Sequence, residues 1–319
     1  MNAGLTLRLS VTDQCQMRCV YCRPEGDRVG RDHRTALSTT ETKLFAQIIK
    51  QHFGLAKIRI TGGEPLLRVD IVDLTRQLAE LGVPDLAMTT NGQRLAPLAA
   101  DLRTAGLTRL NVSLDSLNPE TFRRLSRTGS LDRTLAGIEA ALAAGFSSIK
   151  LNAVVMHGWN DGEASDLVDF AVQTGCELRF IELMPTGLGQ QQYSEWFVSS
   201  EELRTILARD FSLEPLPYTP GASARRFRLG DRRGRIGVVG FISPNSHPFC
   251  ADCQRLRLTA QGDLVGCLGR ADRFSIGDLL RASDPASLAQ VARLAQESLR
   301  RKRTGLPLYV PRLMSSVGG

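Results

Sequence analysis

From Leu5 to about residue 185 the chain alternates between two hydrophobic periods. Short apolar runs at Leu5–Val11, Lys57–Thr61, Leu86–Thr90, Arg109–Leu114, Ser148–Val155 and Leu178–Leu183 read as strands. Between them apolar residues recur at helical spacing, as in Thr40–Phe53, Ile71–Leu81, Leu131–Ala144 and Asp166–Gln173. Ser38-Thr39-Thr40-Glu41 supplies a capping-box start, and Gly82, Gly106, Gly145 and Gly175 each stop a helical pattern. Six β/α units in succession predict an α/β fold with a parallel sheet. Six fit an open or partial barrel better than a closed eight-stranded one. Functional loops are then expected after the C-terminal ends of the strands.

The alternation stops near residue 185. Thr186–Ser199 is polar and Gln-rich, and Ser212–Ala224 reads as a linker. Beyond it Phe227–Leu229, Arg235–Phe241, Arg255–Thr259 and Asp263–Cys267 look like short strands, followed by a helix at about Ala286–Arg303. We therefore expect two regions, residues 1–220 as the barrel and 221–319 as a C-terminal extension.

Composition narrows the class. Hydrophobic residues at 42% and charged residues at 23% suit an ordinary globular chain, and no uncharged apolar run has the roughly 18 residues of a membrane span. The first residues, Met1 to Arg8, lack the layout of a secretory signal. A cytoplasmic protein is expected, whose reduced thiols favour metal over disulfides. The net charge of +7 suits either an Arg-rich solvated surface or an anionic ligand.

Six of the seven cysteines fall into two sets of three. Cys15, Cys19 and Cys22 form C-x3-C-x2-C with Tyr21 before the last sulfur, directly after the first strand. Three thiolates on one loop can hold three corners of a four-iron cluster and leave one iron open. With His33 they could instead close a zinc site. Gly62-Gly63-Glu64-Pro65 follows the second strand, and a backbone without side chains there would let an amino-acid moiety come close. Cys250, Cys253 and Cys267 form C-x2-C-x13-C, with His247 as an alternative fourth zinc ligand. If Arg255–Thr259 is a strand, Arg255 and Arg257 share one face beside this set and suit an anion or a polar base. Cys176 reads as a small buried apolar residue.

The first cysteine loop and the Gly-Gly-Glu-Pro turn together resemble the radical S-adenosylmethionine (SAM) enzymes over about residues 5–185. The second set closely resembles the molybdenum cofactor biosynthesis protein A family, the GTP 3′,8-cyclases. Those proteins have R-x-R after the second cysteine of that set and a Gly-Gly end. Other matching segments are Leu7–Asp13, Arg59–Pro65, Thr89–Gly92, Asn111–Asp115, Ile149–Asn152 and Arg179–Glu182. The resemblance implies an α/β fold: a partial (β/α)6 TIM-like barrel with a C-terminal α+β extension carrying a second iron–sulfur cluster. It also implies two 4Fe–4S clusters and SAM as cofactors, GTP as substrate and an external electron donor. A companion cyclic pyranopterin monophosphate synthase would act downstream. No nucleic acid and no membrane are expected as partners, and the state is a monomer or homodimer.

The resemblance assigns SAM to Tyr21, Gly63, Ser113 and Met184. It assigns GTP to Arg8, Arg59, Thr89, Lys150, Arg255, Leu256 and Arg257. Lys57 and Arg179 join as further cations at strand ends, and Gly318 and Gly319 as a tail able to enter the barrel mouth. No side chain acts as a nucleophile, and the two clusters are expected to face each other across that mouth. The chain has no Gly-x4-Gly-Lys-Ser/Thr loop, so arginine and lysine must hold the phosphates. Two rivals remain: another radical SAM enzyme with auxiliary clusters, such as a peptide-modifying one, and a zinc-stabilised nucleic-acid-binding module. Against the latter, aromatics are only 6% of the chain and no nucleic-acid motif is visible.

Overall fold

The computed structural model describes residues 4–23, 36–185, 192–251, 253–269 and 272–302. His33, Gly318 and Gly319 lie outside the described residues. The six expected strands are present as β1 (Leu5–Ser10), β2 (Leu55–Thr61), β3 (Asp85–Thr90), β4 (Arg109–Ser113), β5 (Ile149–Val155) and β6 (Glu177–Glu182). Each runs parallel to the next in chain order. The crossovers carry α1 (Thr39–Phe53), α2 (Ile71–Ala79), α3 (Ala99–Thr104), α4 (Pro119–Ser126), α5 (Leu131–Ala143) and α6 (Ala164–Thr174). Ser38 closes the capping box on α1: its hydroxyl accepts from Glu41 N, and Glu41 Oε2 accepts from Ser38 N at 2.7 Å.

The later residues form α7 (Tyr193–Trp196), α8 (Ser200–Leu207), β7 (Phe211–Pro215), β8 (Ala224–Asp231), β9 (Ile236–Ile242), β10 (Arg255–Leu258), β11 (Asp263–Val265), β12 (Phe274–Ser275), α9 (Gly277–Ala282) and α10 (Pro285–Arg301). Their strands join the barrel sheet at both edges. The sheet order is β12-β11-β10-β1-β2-β3-β4-β5-β6-β9-β8-β7. β10 lies parallel to β1, and β9 parallel to β6. The parallel run therefore exceeds the six expected strands, because the C-terminal extension widens the barrel on each side. The expected linker at Ser212–Ala224 needs correction. Its first residues belong to β7, which pairs antiparallel with β8. Pro215, Pro217 and Pro220 hid a strand whose partner lies across the turn.

The sheet has two unlike faces. Leu5, Leu7 and Leu9 of β1 are buried and join Phe45 and Ile49 of α1 in the main core. Thr6 and Arg8 alternate to the other face. A parallel sheet buried on both faces ordinarily reads as continuous apolar strands. Here the inner face is Lys57 and Arg59 on β2, Arg109, Asn111 and Ser113 on β4, Lys150 and Asn152 on β5, and Glu177 and Arg179 on β6. A polar inner face suits a polar ligand enclosed by the barrel.

Candidate active site

The first cysteine loop is held by main-chain contacts on two sides. On one side Gly63 N donates to Thr12 O at 2.7 Å and Glu64 N to Gln14 O at 2.6 Å. A Cβ on Gly62 would lie 2.4 Å from Thr12 O, and one on Gly63 2.1 Å from Gln14 O. The glycine pair is thus required by the close approach of the cysteine loop itself. A structural requirement therefore stands beside the expected approach of a ligand. On the other side Arg18 N and Val20 N donate to Ser126 O and Leu125 O at the end of α4. Arg23, itself buried, ties back with Nη1 on Cys15 O at 3.2 Å.

Buried carboxylates stand around these thiols. Glu64 accepts from Leu66 N, Thr90 Oγ1 and Asn91 N, and burial pushes its carboxyl up to about 7. Asp115 accepts from the Tyr21 hydroxyl at 2.7 Å and from Val154 N at 2.9 Å, and burial pushes it up to about 6. Burial first, then Glu64, raises the Cys15 thiol to about 12. Burial, then Asp115, then Cys22 and Cys15 raise Cys19 well above its ordinary value. Cys15 and Cys19 thus stay protonated without a metal, and Cys22 helps to raise both. Since the thiolate is the ligand, such a trio ionises only onto a strongly bound cation or cluster. Asn91 Nδ2 lies 3.7 Å from Cys15 Sγ, a donor suited to a cluster-bound sulfur.

The second set sits at the other end of the lumen. β10 is parallel to β1 with Thr6 opposite Arg255, so Cys253 precedes the start of β10 while Cys15 follows the end of β1. At about 3.3 Å per residue, the strand between Thr6 and Val11 alone spans about 17 Å. The two sets therefore do not face each other across one mouth, as expected from the loops alone. They close opposite ends of one lumen. β11 pairs antiparallel to β10 with Val265 opposite Arg257, which carries Cys267 back toward Cys253. Burial favours a protonated Cys253, but Lys302 and Arg255 outweigh it and hold the thiol below its ordinary value. Arg255 Nη1 lies 3.4 Å from Cys253 Sγ, Lys302 Nζ donates to Arg255 O, and the Arg255 guanidinium stacks 4.7 Å from the Phe249 ring centre. Three mutually coupled thiols with cationic donors fit a cluster too. His247 is exposed, its Nδ1 3.1 Å from Ser246 Oγ. Cys176 is buried in the main core as expected.

Between the two ends lies a cation-rich wall. Strand register aligns Arg257, Arg8 and Arg59 in one row, and Arg255, Thr6 and Lys57 in the next. Asp85 pairs with Lys57 at 3.0 Å and Arg109 at 2.8 Å. Glu177 gathers Lys150 at 3.2 Å, Arg179 at 2.7 Å and Arg226 at 3.7 Å. Burial, then Arg109, Arg179 and Arg255, pulls Arg59 down to about 9. Those repelling groups come from three other strands, so they share one space. Burial and Arg255 pull Arg257 to about 10, and burial and Arg179 pull Lys150 to about 8. Arg8 is pulled down by burial, Arg257 and Arg59. Arginine keeps its proton here, so the pull reflects the cost of burying the charge and, after it, mutual repulsion, both of which an anion would offset.

The sequence-predicted residues divide accordingly. Tyr21, Gly63, Ser113 and Met184 stand at the first-cysteine end, after or near the ends of their strands. Arg8, Lys57, Arg59, Thr89, Lys150, Arg179, Arg255 and Arg257 are on the inner face. Leu256 is the exception. It alternates to the outer face with Leu7 and is fully buried in the core, so its side chain does not reach the lumen. Sequence reasoning missed Asp115, Asn91, Arg109, Arg226, Lys302 and Glu182. Glu182 is buried and accepts from Ser200 N at 3.0 Å, Asn245 N at 3.2 Å and Ser246 N at 3.1 Å, with the Ser246 hydroxyl adding a fourth bond. It anchors the segment leading to Cys250. A buried Glu ending an apolar strand was the available signal.

Comparison with known proteins agrees with this geometry. The family model described as Radical SAM superfamily matches residues 9–171, and that described as Molybdenum Cofactor Synthesis C matches 176–306. The GTP 3′,8-cyclase of Marinobacter nauticus is 46% identical, over 86% of this chain and 82% of its own length. That of Pseudomonas putida (strain W619) is 43% identical over 98% of this chain and 95% of its own. GTP 3′,8-cyclase 1 of Pseudomonas aeruginosa is 47% identical over 86% and 83%. Among solved structures, Streptococcus suis SuiB bound to S-adenosylmethionine superimposes with a TM-score of 0.62 at 15% identity, covering 91% of this chain and 68% of that one. At such identity the likeness is one of fold. The chain belongs to the GTP 3′,8-cyclase family of the radical SAM superfamily.

Proposed function

We infer that this protein converts GTP to 3′,8-cyclo-7,8-dihydro-GTP in the first step of molybdenum cofactor biosynthesis, using two 4Fe–4S clusters, SAM and an external electron donor. The observation that carries this reading is one cation-lined lumen with a cysteine trio at each end. A cluster on Cys15, Cys19 and Cys22, with SAM, would supply the one-electron cleavage that starts hydrogen abstraction from the ribose. The chain's own residues supply position, charge and shelter from water.

We assign SAM to Tyr21, Gly63, Ser113 and Met184, and the phosphates of GTP to Arg8, Lys57, Arg59, Lys150 and Arg179, with Thr89 beside them. Arg255 and Arg257 hold the guanine end, next to a second cluster on Cys250, Cys253 and Cys267. The Leu256 side chain contributes to the core. Among the described residues the inward cations outnumber the carboxylates Asp85 and Glu177 that pair with some of them, which favours the anionic GTP over the peptide-modifying alternative.

The finer assignments belong to the same reading. We place the protein in the cytoplasm, as a monomer or homodimer, handing its product to a cyclic pyranopterin monophosphate synthase, with residues 1–220 and 221–319 as its two working regions. Among the described residues no helix is long and apolar enough to cross a membrane. The deciding experiment is anaerobic turnover with SAM, GTP and a strong reductant, followed by product identification. Cleavage of SAM that does not depend on GTP, with no cyclised product, would sink the reading.

A further inference from the structure

Asn111 is the middle inward residue of β4. Arg109 lies two residues below it at the cation-rich end, and Ser113 two residues above it at the cofactor end. It is 1% exposed. Its Nδ2 donates to Met88 O at 3.4 Å and Thr89 Oγ1 at 3.5 Å, which orients the amide. Its Oδ1 is buried and has no hydrogen-bond partner among the described residues. Strand register sets it between Thr89 on β3 and Lys150 on β5.

A buried amide oxygen needs a donor, and its level in the lumen narrows the choice. Phosphate oxygens at the cation-lined wall are acceptors and cannot serve. The N–H edge of guanine belongs with the second cysteine set, at the far end. Lys150 Nζ, opposite on β5, is turned to Glu177 at 3.2 Å, so of the groups GTP itself carries the ribose hydroxyls are the donors left for the middle. Stereochemistry agrees. In a β-ribonucleoside the C3′–H bond and the base share one face of the sugar, and both hydroxyls share the other. With C3′–H turned toward Ser113 and the cofactor end, the hydroxyls turn away from it toward the level of Asn111, while the base, leaving the ring's edge at C1′, extends sideways toward the second cysteine set.

We propose that Asn111 Oδ1 accepts a hydrogen bond from a ribose hydroxyl of bound GTP, selecting a ribonucleotide and fixing which face of its sugar meets the cofactor. This rests on the GTP reading above. Asn111 touches the substrate without taking part in bond making.

The test is anaerobic calorimetry on the full-length, cluster-reconstituted protein with GTP, 2′-deoxy-GTP and 3′-deoxy-GTP, without SAM or reductant. Wild type should prefer GTP over at least one deoxy analogue by about 3- to 10-fold, the worth of one net hydrogen bond. Asn111→Leu should bind GTP more weakly by that factor and show no preference. Asn111→Ala replaces it if the leucine variant does not fold. Asn111→Asp keeps an acceptor oxygen and should keep the preference. The proposal is overturned if the Leu or Ala variant retains the wild-type ratios, if Asp loses them as fully as Leu, or if wild type shows no preference. Failure of the wild type to bind GTP with both clusters intact is a different result, and rejects the GTP reading itself.

Discussion

The two cysteine trios use the same ligand atoms in opposite electrostatic settings. At the first, burial and the carboxylates of Glu64 and Asp115 push Cys15 and Cys19 upward. At the second, Lys302 and Arg255 hold Cys253 down, although burial raises its neighbour Cys250. Net charge and hydrogen bonds to sulfur set a cluster's potential. Negative surroundings favour the oxidised cluster and make the reduced one a stronger donor, as splitting SAM requires. Cationic surroundings do the reverse and suit a cluster that holds substrate. The same cations also extend into the wall expected to meet the anion. The difference suits the proposed division, electron delivery at one end and substrate capture at the other.

The sharpest way to break that comparison is to remove one ligand from each trio. Cys22→Ser should abolish SAM cleavage. Cys267→Ser should spare part of the cleavage while losing cyclisation. Each variant should fall from about eight irons per chain toward about four. Equal loss of both activities in both variants would contradict the division. Next in size is Gly63→Ala. Its new Cβ would sit 2.1 Å from Gln14 O, a main-chain atom that cannot swing aside. The first loop must shift, and misplacement of that order costs about 100-fold in SAM cleavage. The irons of the second trio should remain, as spectra of the reconstituted variant would reveal.

Arg59→Ala probes the region between the trios. Loss of a charged hydrogen-bond donor worth about 1.5–3 kcal/mol predicts GTP binding weaker by roughly 10- to 150-fold. Both clusters should stay in place, as iron analysis and GTP titration together would report. Unchanged GTP affinity would detach the buried arginine row from substrate.

What the sequence made legible follows from the range of each interaction. The six β/α units were readable because each rests on local periodicity and local stop signals such as Gly82 and Gly175. The recruitment of β9 and β10 to opposite barrel edges was not, since it depends on pairing between segments up to about 250 residues apart. The cysteine trios were readable as spacing, yet their placement at opposite ends needed the direction of β10. Arg8 and Arg59 stood out because a charge within an apolar strand needs a partner. Leu256 was grouped with its neighbours Arg255 and Arg257, although alternation turns it to the other face. Lys302 and Asp115 carried no spacing signal at all. Each acts on a cysteine distant in sequence.

The smallest expected effect tests the electrostatic contrast directly. In the metal-free protein near pH 8, the thiolate fraction sets how fast iodoacetamide alkylates each cysteine. Cys253 titrates below its ordinary value, whereas Cys15 and Cys19 lie above theirs. Peptide mapping should therefore find Cys253 modified before either of them. Lys302→Met removes the foremost of the charges that stabilise this thiolate and leaves Arg255 in place. Burial then counts for more, the Cys253 pKa rises, and its labelling should slow by a few-fold, with Cys15 and Cys19 unchanged. A rate at Cys253 indifferent to Lys302 would mean that exposure alone distinguishes the two ends, and the assignment of electron delivery and substrate capture by charge would lose its basis.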